Sequence, residues 1–203
     1  MQQPRPSRAA TRIRGAPVGR KRYGMEFDLN QAFALLSRTP MALNALLRDL
    51  PGTWTHSNEG GDSWTATQVI GHLVHCERVD FLARAQRILE FGETRAFDPL
   101  DRFAHLKESK DATLPALLDE FARLRAANIE ELRTQHLDSA RLALRGLHPA
   151  LGTVTLSQLL SSWAVHDMTH LHQISRILAY QYRDSVGPWS TYLGVLKCNA
   201  HSS

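Results

Sequence analysis

Two histidines four residues apart carry the first chemical signal in this chain. His166 and His170 lie in the stretch LSQLLSSWAVHDMTHLHQISRILAYQ, Leu156 to Gln181, which contains no Gly or Pro. Apolar residues recur there at Leu156, Leu159, Leu160, Trp163, Ile174, Ile177 and Leu178, the spacing of one buried helical face. The two histidines continue that stripe between Trp163 and Ile174 and stack on one side of the helix. Imidazoles in an apolar seam are expected to be bound by something, and two aimed at one point form part of a transition-metal site. His72 is the third candidate. At ~100° per residue it shares an arc with Val69, Leu73, Cys76, Asp80, Ala83 and Arg87, whereas His75 and Glu77 fall off that arc. Three neutral imidazoles are the ligand set of a catalytic-type centre with an open position. The competing reading is a set of buried, hydrogen-bonded histidines without metal. The H-x-x-x-H spacing alone is weak among ten histidines, and its place inside the apolar stripe strengthens it.

The elements that must position these residues are helical. A first helix is expected from Asp28 to Leu50, with a kink or break near Thr39 caused by Pro40. Residues 51–63 read as a loop. Thr65 and Gln68 form a capping box that opens a second helix running to about Phe91, where Gly92 ends it. Residues 92–111 read as irregular, 112–134 as a third helix and 136–153 as a long connection. Thr155 and Gln158 repeat the capping box at the start of the fourth helix. Residues 189–197 are expected to form a short closing helix packed through Trp189, Tyr192, Leu193 and Leu196. No segment shows strand periodicity, so the fold class is all-α, a four-helix bundle with a short C-terminal helix.

Composition narrows the function classes. Seven of the 24 basic residues lie in residues 1–24, which hold no acid; the other 17 face 20 acidic residues, so the remainder carries −3. Residues 1–24 read as a disordered basic tail, or as sequence upstream of a true start at Met25. The same composition would suit an organelle transit peptide or a basic arm for nucleic acid, but an acidic remainder opposes an electrostatic grip on phosphates. No apolar run reaches ~18 residues, so no membrane span is expected. Two cysteines, Cys76 and Cys198, favour a reducing, cytoplasmic setting over a disulfide framework.

The pattern WTATQVIGHL from Trp64 to Leu73, followed by Glu77, resembles the second helix of the DinB-like (DinB/YfiT) superfamily. HDMTHLHQI, from His166 to Ile174, is similar to its last helix, and the likeness spans roughly residues 27–197. The resemblance implies a down-up-up-down four-helix bundle, with His72, His166 and His170 holding a divalent ion, zinc or nickel. It also implies a homodimer, a small-molecule substrate that could be a low-molecular-weight thiol, and activity as a thiol-dependent transferase or a hydrolase. The alternative is a non-catalytic, metal-stabilised bundle acting as a binding or stress-related protein.

Other polar residues near the motif have more ordinary expectations. Glu77 and Gln173 are candidates to orient the ligands. Cys76, one turn from His72, is a candidate neighbour of the metal but more often a small apolar filler. Asp167 is expected to point away from the histidines and pair with charge elsewhere, His172 to be solvated, and Trp163 to be core. No H-E-x-x-H motif supplies a dedicated general base.

Overall fold

The computed structural model describes residues 26–198; the proposed tail and Met25 lie outside the described residues. Helix α1 (Leu29–Leu36) starts where the Asp28 side chain accepts the Gln31 backbone N–H at 2.8 Å. The chain breaks at Ser37 and Arg38 and restarts as α2 (Thr39–Leu47), with Pro40 in the first turn, where its missing N–H does no harm. One helical turn, α3 (Gly52–Thr55), lies inside the expected 51–63 loop.

The second helix departs from the expected single rod. α4 (Ala66–Val79) ends at Asp80, and α5 (Phe81–Phe91) follows it directly. No Gly or Pro causes this. Asp80 adopts φ −109°, ψ −91°, with its carboxylate 2.7 Å from the Arg84 Nε. Phe81 is thereby turned to stack on Trp163, at 5.3 Å between centroids and 4° between planes. A 3₁₀ turn (Gly92–Thr94) and the single-turn α6 (His105–Glu108) follow, the latter within a segment expected to be irregular. α7 (Leu114–Thr134) is capped by Thr113.

The long connection holds more structure than its sequence announced. It contains a one-turn α8 (Ser139–Leu142) and an antiparallel hairpin of β1 (Arg145–His148) and β2 (Gly152–Thr155). The hairpin packs on α5: a Cβ at Gly146 would lie 2.5 Å from Ile88 Cγ1, so only glycine fits there without displacement. Four-residue strands are too short to show alternation, which is why periodicity missed them. α9 (Leu156–Tyr180) follows directly, with both hydrogen bonds of the Thr155/Gln158 capping box present. The expected closing helix is instead two 3₁₀ turns, Gly187–Thr191 and Gly194–Leu196. Trp189 and Tyr192 are exposed there rather than packed.

The bundle consists of α1–α2, α4–α5, α7 and α9, with α4 packed along α7, and α5 and α1 against α9. Its core divides into two apolar clusters. One is built on Phe33, Leu36, Phe81, Leu132, Leu160 and Trp163, the other on Leu43, Ile70, Leu73, Phe121, Ile174 and Ile177. Along α7 the first cluster takes Ile129 and Leu132 and the second Leu114 to Phe121; along α9 the first ends at Ala164 and the second begins at Ile174. The buried residues between are polar: Arg125 and Asn128 on α7, Asp167 and His170 on α9. A buried polar layer thus crosses the bundle at mid-height. Among the described residues no helix is long and apolar enough to cross a membrane.

Candidate metal centre

α4 and α9 bring His72, His166 and His170 together within this polar layer. Their ligand nitrogens lie within 4.8 Å of one another, and they form the one such His/Cys/Asp/Glu group among the described residues. His166 Nε2 lies 3.4 Å from His72 Nε2 and 3.0 Å from His170 Nε2. Two imidazole nitrogens at ~2.0–2.1 Å from a tetrahedral zinc stand about 3.4 Å apart, so the spacing suits a shared ion.

Proton placement makes the same point. The Gln173 Oε1 lies 2.9 Å from His170 Nδ1, which places the ring proton on Nδ1 and leaves a lone pair on Nε2. If His166 Nε2 donates to His170, it has no lone pair for His72. If it accepts from His72, it opposes the His170 lone pair at 3.0 Å. One proton cannot satisfy both contacts, whereas a cation accepting three lone pairs does. His166 Nδ1 is buried without a partner among the described residues, so that atom does not fix the tautomer.

Burial keeps the rings neutral. It lowers the His72 pKa from 6.5 to about 2, with smaller contributions from the other histidines, and the His166 pKa to about 3. His170 is also lowered by burial, against a raising hydrogen bond from Gln173. The Arg102 guanidinium pushes both His166 and His170 further down. His166 is slightly exposed, whereas His72 and His170 are buried. Around them, Trp64 packs on His72 at 5.0 Å and on His105 at 4.4 Å, and His105 lies edge-on to His72 at 5.2 Å. Close approach of α6 to α4 allows this: a Cβ at Gly71 would meet Ser109 Oγ at 2.5 Å and Ser109 Cβ at 3.2 Å.

The remaining candidates sort differently. Gln173 is beside His170. Cys76 Sγ lies 3.5 Å from His72 Nε2 but outside the converging set, and burial raises its thiol pKa, which opposes ligation. Glu77, expected beside the histidines, is engaged elsewhere: its Oε1 accepts from Arg125 Nε (3.0 Å) and Nη2 (2.7 Å) and from Trp163 Nε1 (3.1 Å), and its Oε2 from Asn128 Nδ2 (2.9 Å). Asp167 points away from the imidazoles and accepts from Arg125 Nη1 (2.5 Å) and Nη2 (2.9 Å). Arg125 Nη1 also donates to the Leu36 carbonyl at 2.9 Å. His75, 5% exposed, places Nδ1 2.9 Å from Glu108 Oε2, and His172 is exposed.

Sequence reading missed Arg125, Asn128, His105 and Arg102. A signal existed for the first two. The α7 stripe of Leu114, Leu118, Phe121 and Leu132 runs through positions 125 and 128, so polar residues there had to be buried and paired.

The family model described as DinB superfamily matches residues 35–174, from α1 through His166 and His170. The chain belongs to the DinB superfamily. Among solved structures, YfiT from Bacillus subtilis is similar over 81% of this chain and 91% of its own, with 22% identity and a TM-score of 0.67. It is described as a probable metal-dependent hydrolase with an unusual four-helix bundle topology, and the likeness establishes the bundle fold here. No curated protein matches the chain.

Proposed function

We propose that this DinB protein is a metal-dependent enzyme in which His72, His166 and His170 hold a divalent ion, zinc or nickel, and that it acts on a small molecule by hydrolysis or thiol transfer. The convergence of three Nε2 atoms that protons alone cannot satisfy carries the reading. The relationship to YfiT, itself described as a probable metal-dependent hydrolase, supports it. Bound there, a divalent ion supplies a Lewis acid that favours the deprotonated form of water or of a thiol.

The chain's own contributions follow from geometry. Burial holds the imidazoles neutral, so their lone pairs are available at physiological pH. Gln173 fixes the His170 tautomer with Nε2 turned inward. Of the three, only His166 is not buried, which favours substrate approach from its side. Asp167 directs both oxygens to Arg125, and Glu77 is held by Arg125, Asn128 and Trp163, so neither is placed as a general base.

Metal content by plasma mass spectrometry on untagged protein never exposed to chelator tests the reading. About one zinc or nickel per chain, absent from His72→Ala, is the expected result. No metal in either protein sinks it. Cobalt-substituted protein whose visible bands ignore both thiols and pH would leave the non-catalytic bundle. We further read the chain as a homodimer. The groove between α1 and α9, lined by Phe27, Leu35, Ala164 and Val165, leaves Leu35 38% and Val165 63% exposed, an apolar face that a second copy would cover.

A further inference from the structure

The three proposed ligands are not held alike. Gln173 meets His170 at Nδ1, and Trp64 and His105 wall the His72 ring. His166 Nδ1 is buried with no hydrogen-bond partner among the described residues. A metal-binding imidazole ordinarily gives its second N–H to a carboxylate, a carbonyl or water, and that contact fixes the ring. At His166 no hydrogen bond from Nδ1 chooses the orientation, so packing has to.

Phe81 supplies that packing. Its ring lies 5.1 Å from the His166 ring, with 62° between planes, and it stacks on Trp163. Trp163 is fully buried, and its Nε1 donates to Glu77 Oε1, which Arg125 also holds. Phe81 therefore joins His166 to an indole that is itself pinned to the polar layer. The break at Asp80 bears on this placement. Phe81 stands nine residues past His72, which on an unbroken helix is about 180° around the axis, the face turned away from the histidines. Because α4 ends at Asp80, whose carboxylate is held by Arg84, Phe81 starts a new helix with its ring against His166.

We propose that Phe81 is the positioning residue for His166. Its ring takes the place of an outer hydrogen bond and keeps His166 Nε2 turned toward His72 and His170. This deepens the proposed metal centre and rests on it. The helix break at Asp80 is the device that delivers the ring, and His166 is the ligand that depends on it.

The test compares three variants of the full-length protein with the parent. Phe81→Leu removes the flat ring, Phe81→Tyr keeps it, and Ile88→Ala opens the core on the same helix at another buried side chain. Zinc affinity is read by chelator competition, and the histidine rings of the zinc-loaded protein by imidazole ¹H–¹⁵N NMR. Phe81→Leu is expected to bind zinc about tenfold more weakly, the low end of what loss of an outer partner costs a ligand. Its His166 resonances broaden while those of His72 and His170 keep their parent shifts. Phe81→Tyr and Ile88→Ala bind zinc as the parent does. Parent-like affinity in Phe81→Leu, an equal loss in Phe81→Tyr or Ile88→Ala, or all three histidines disturbed together overturns the role of Phe81 and leaves the metal reading intact. A parent protein that binds no zinc overturns both. If Phe81→Leu does not fold, Phe81→Met, closer in volume and equally without a ring, takes its place under the same outcomes.

Discussion

Replacing Arg125 with Met tests the polar layer most sharply. Arg125 is 1% exposed and makes five hydrogen bonds, to both oxygens of Asp167, twice to Glu77 Oε1, and to the Leu36 carbonyl. Met fills similar volume and leaves two buried carboxylates without their cation. Burial already pushes the Glu77 carboxyl up against the pull of Arg125, so without the guanidinium the carboxylate pair takes up a proton. Protonating a carboxyl of ordinary pKa near 3.9 at pH 7 costs about 4 kcal/mol, in line with the ~3–5 kcal/mol found when one partner of a buried pair is removed. The melting temperature should fall by roughly 8–16 °C for a chain of this size. Because the folded variant holds a proton that the unfolded chain releases above pH ~4, the deficit relative to the parent grows as pH rises and shrinks to about 1.5 kcal/mol at pH 5. Adding Asp167→Asn should recover part of the loss. Urea unfolding of parent and variant at pH 5 and pH 7 measures this. A deficit under ~1 kcal/mol, or one independent of pH, would refute the account of the layer as a cation neutralising two buried anions.

Three further outcomes are expected. Gln173→Leu should weaken zinc affinity about 10–100-fold in chelator competition, through loss of the contact to His170 Nδ1, with little change in helix content by circular dichroism. The metal-free protein should lose stability as pH falls below 6.5, because unfolded histidines take up protons that folded His72 and His166, with pKa values near 2 and 3, refuse. That amounts to about 2 kcal/mol for each of the two at pH 5, and an acid-insensitive unfolding midpoint would contradict it. Val165→Asp should shift the protein toward monomer in sedimentation velocity if α1 and α9 form the dimer face, and an unchanged sedimentation coefficient excludes that face.

What the sequence disclosed follows from where information is local. Capping boxes at Thr65 and Thr155 announce helix starts because the paired side chain lies three residues away. The His166/His170 spacing likewise puts two rings on one face without reference to the rest of the chain. Helix breaks were legible only where covalent chemistry forces them: Pro40 was, but Asp80 was not, since its break is coupled to Arg84 and to the Phe81–Trp163 stack. Glu77 shows the same limit. Its sequence proximity to His72 was visible, whereas its real partner, Arg125, lies 48 residues away. His105 had no signature, because nothing near it in sequence tells that its ring lies against His72 of α4.

Gly71 ties two parts of the molecule together. By lacking a side chain it lets the end of α6 rest on α4. A Cβ at position 71 would sit 2.5 Å from Ser109 Oγ and 3.2 Å from Ser109 Cβ, so α6 would have to back away. The His105 ring, which lies against His72, would be drawn with it. A single missing methyl group therefore couples the seat of a one-turn helix to the ring of a candidate ligand.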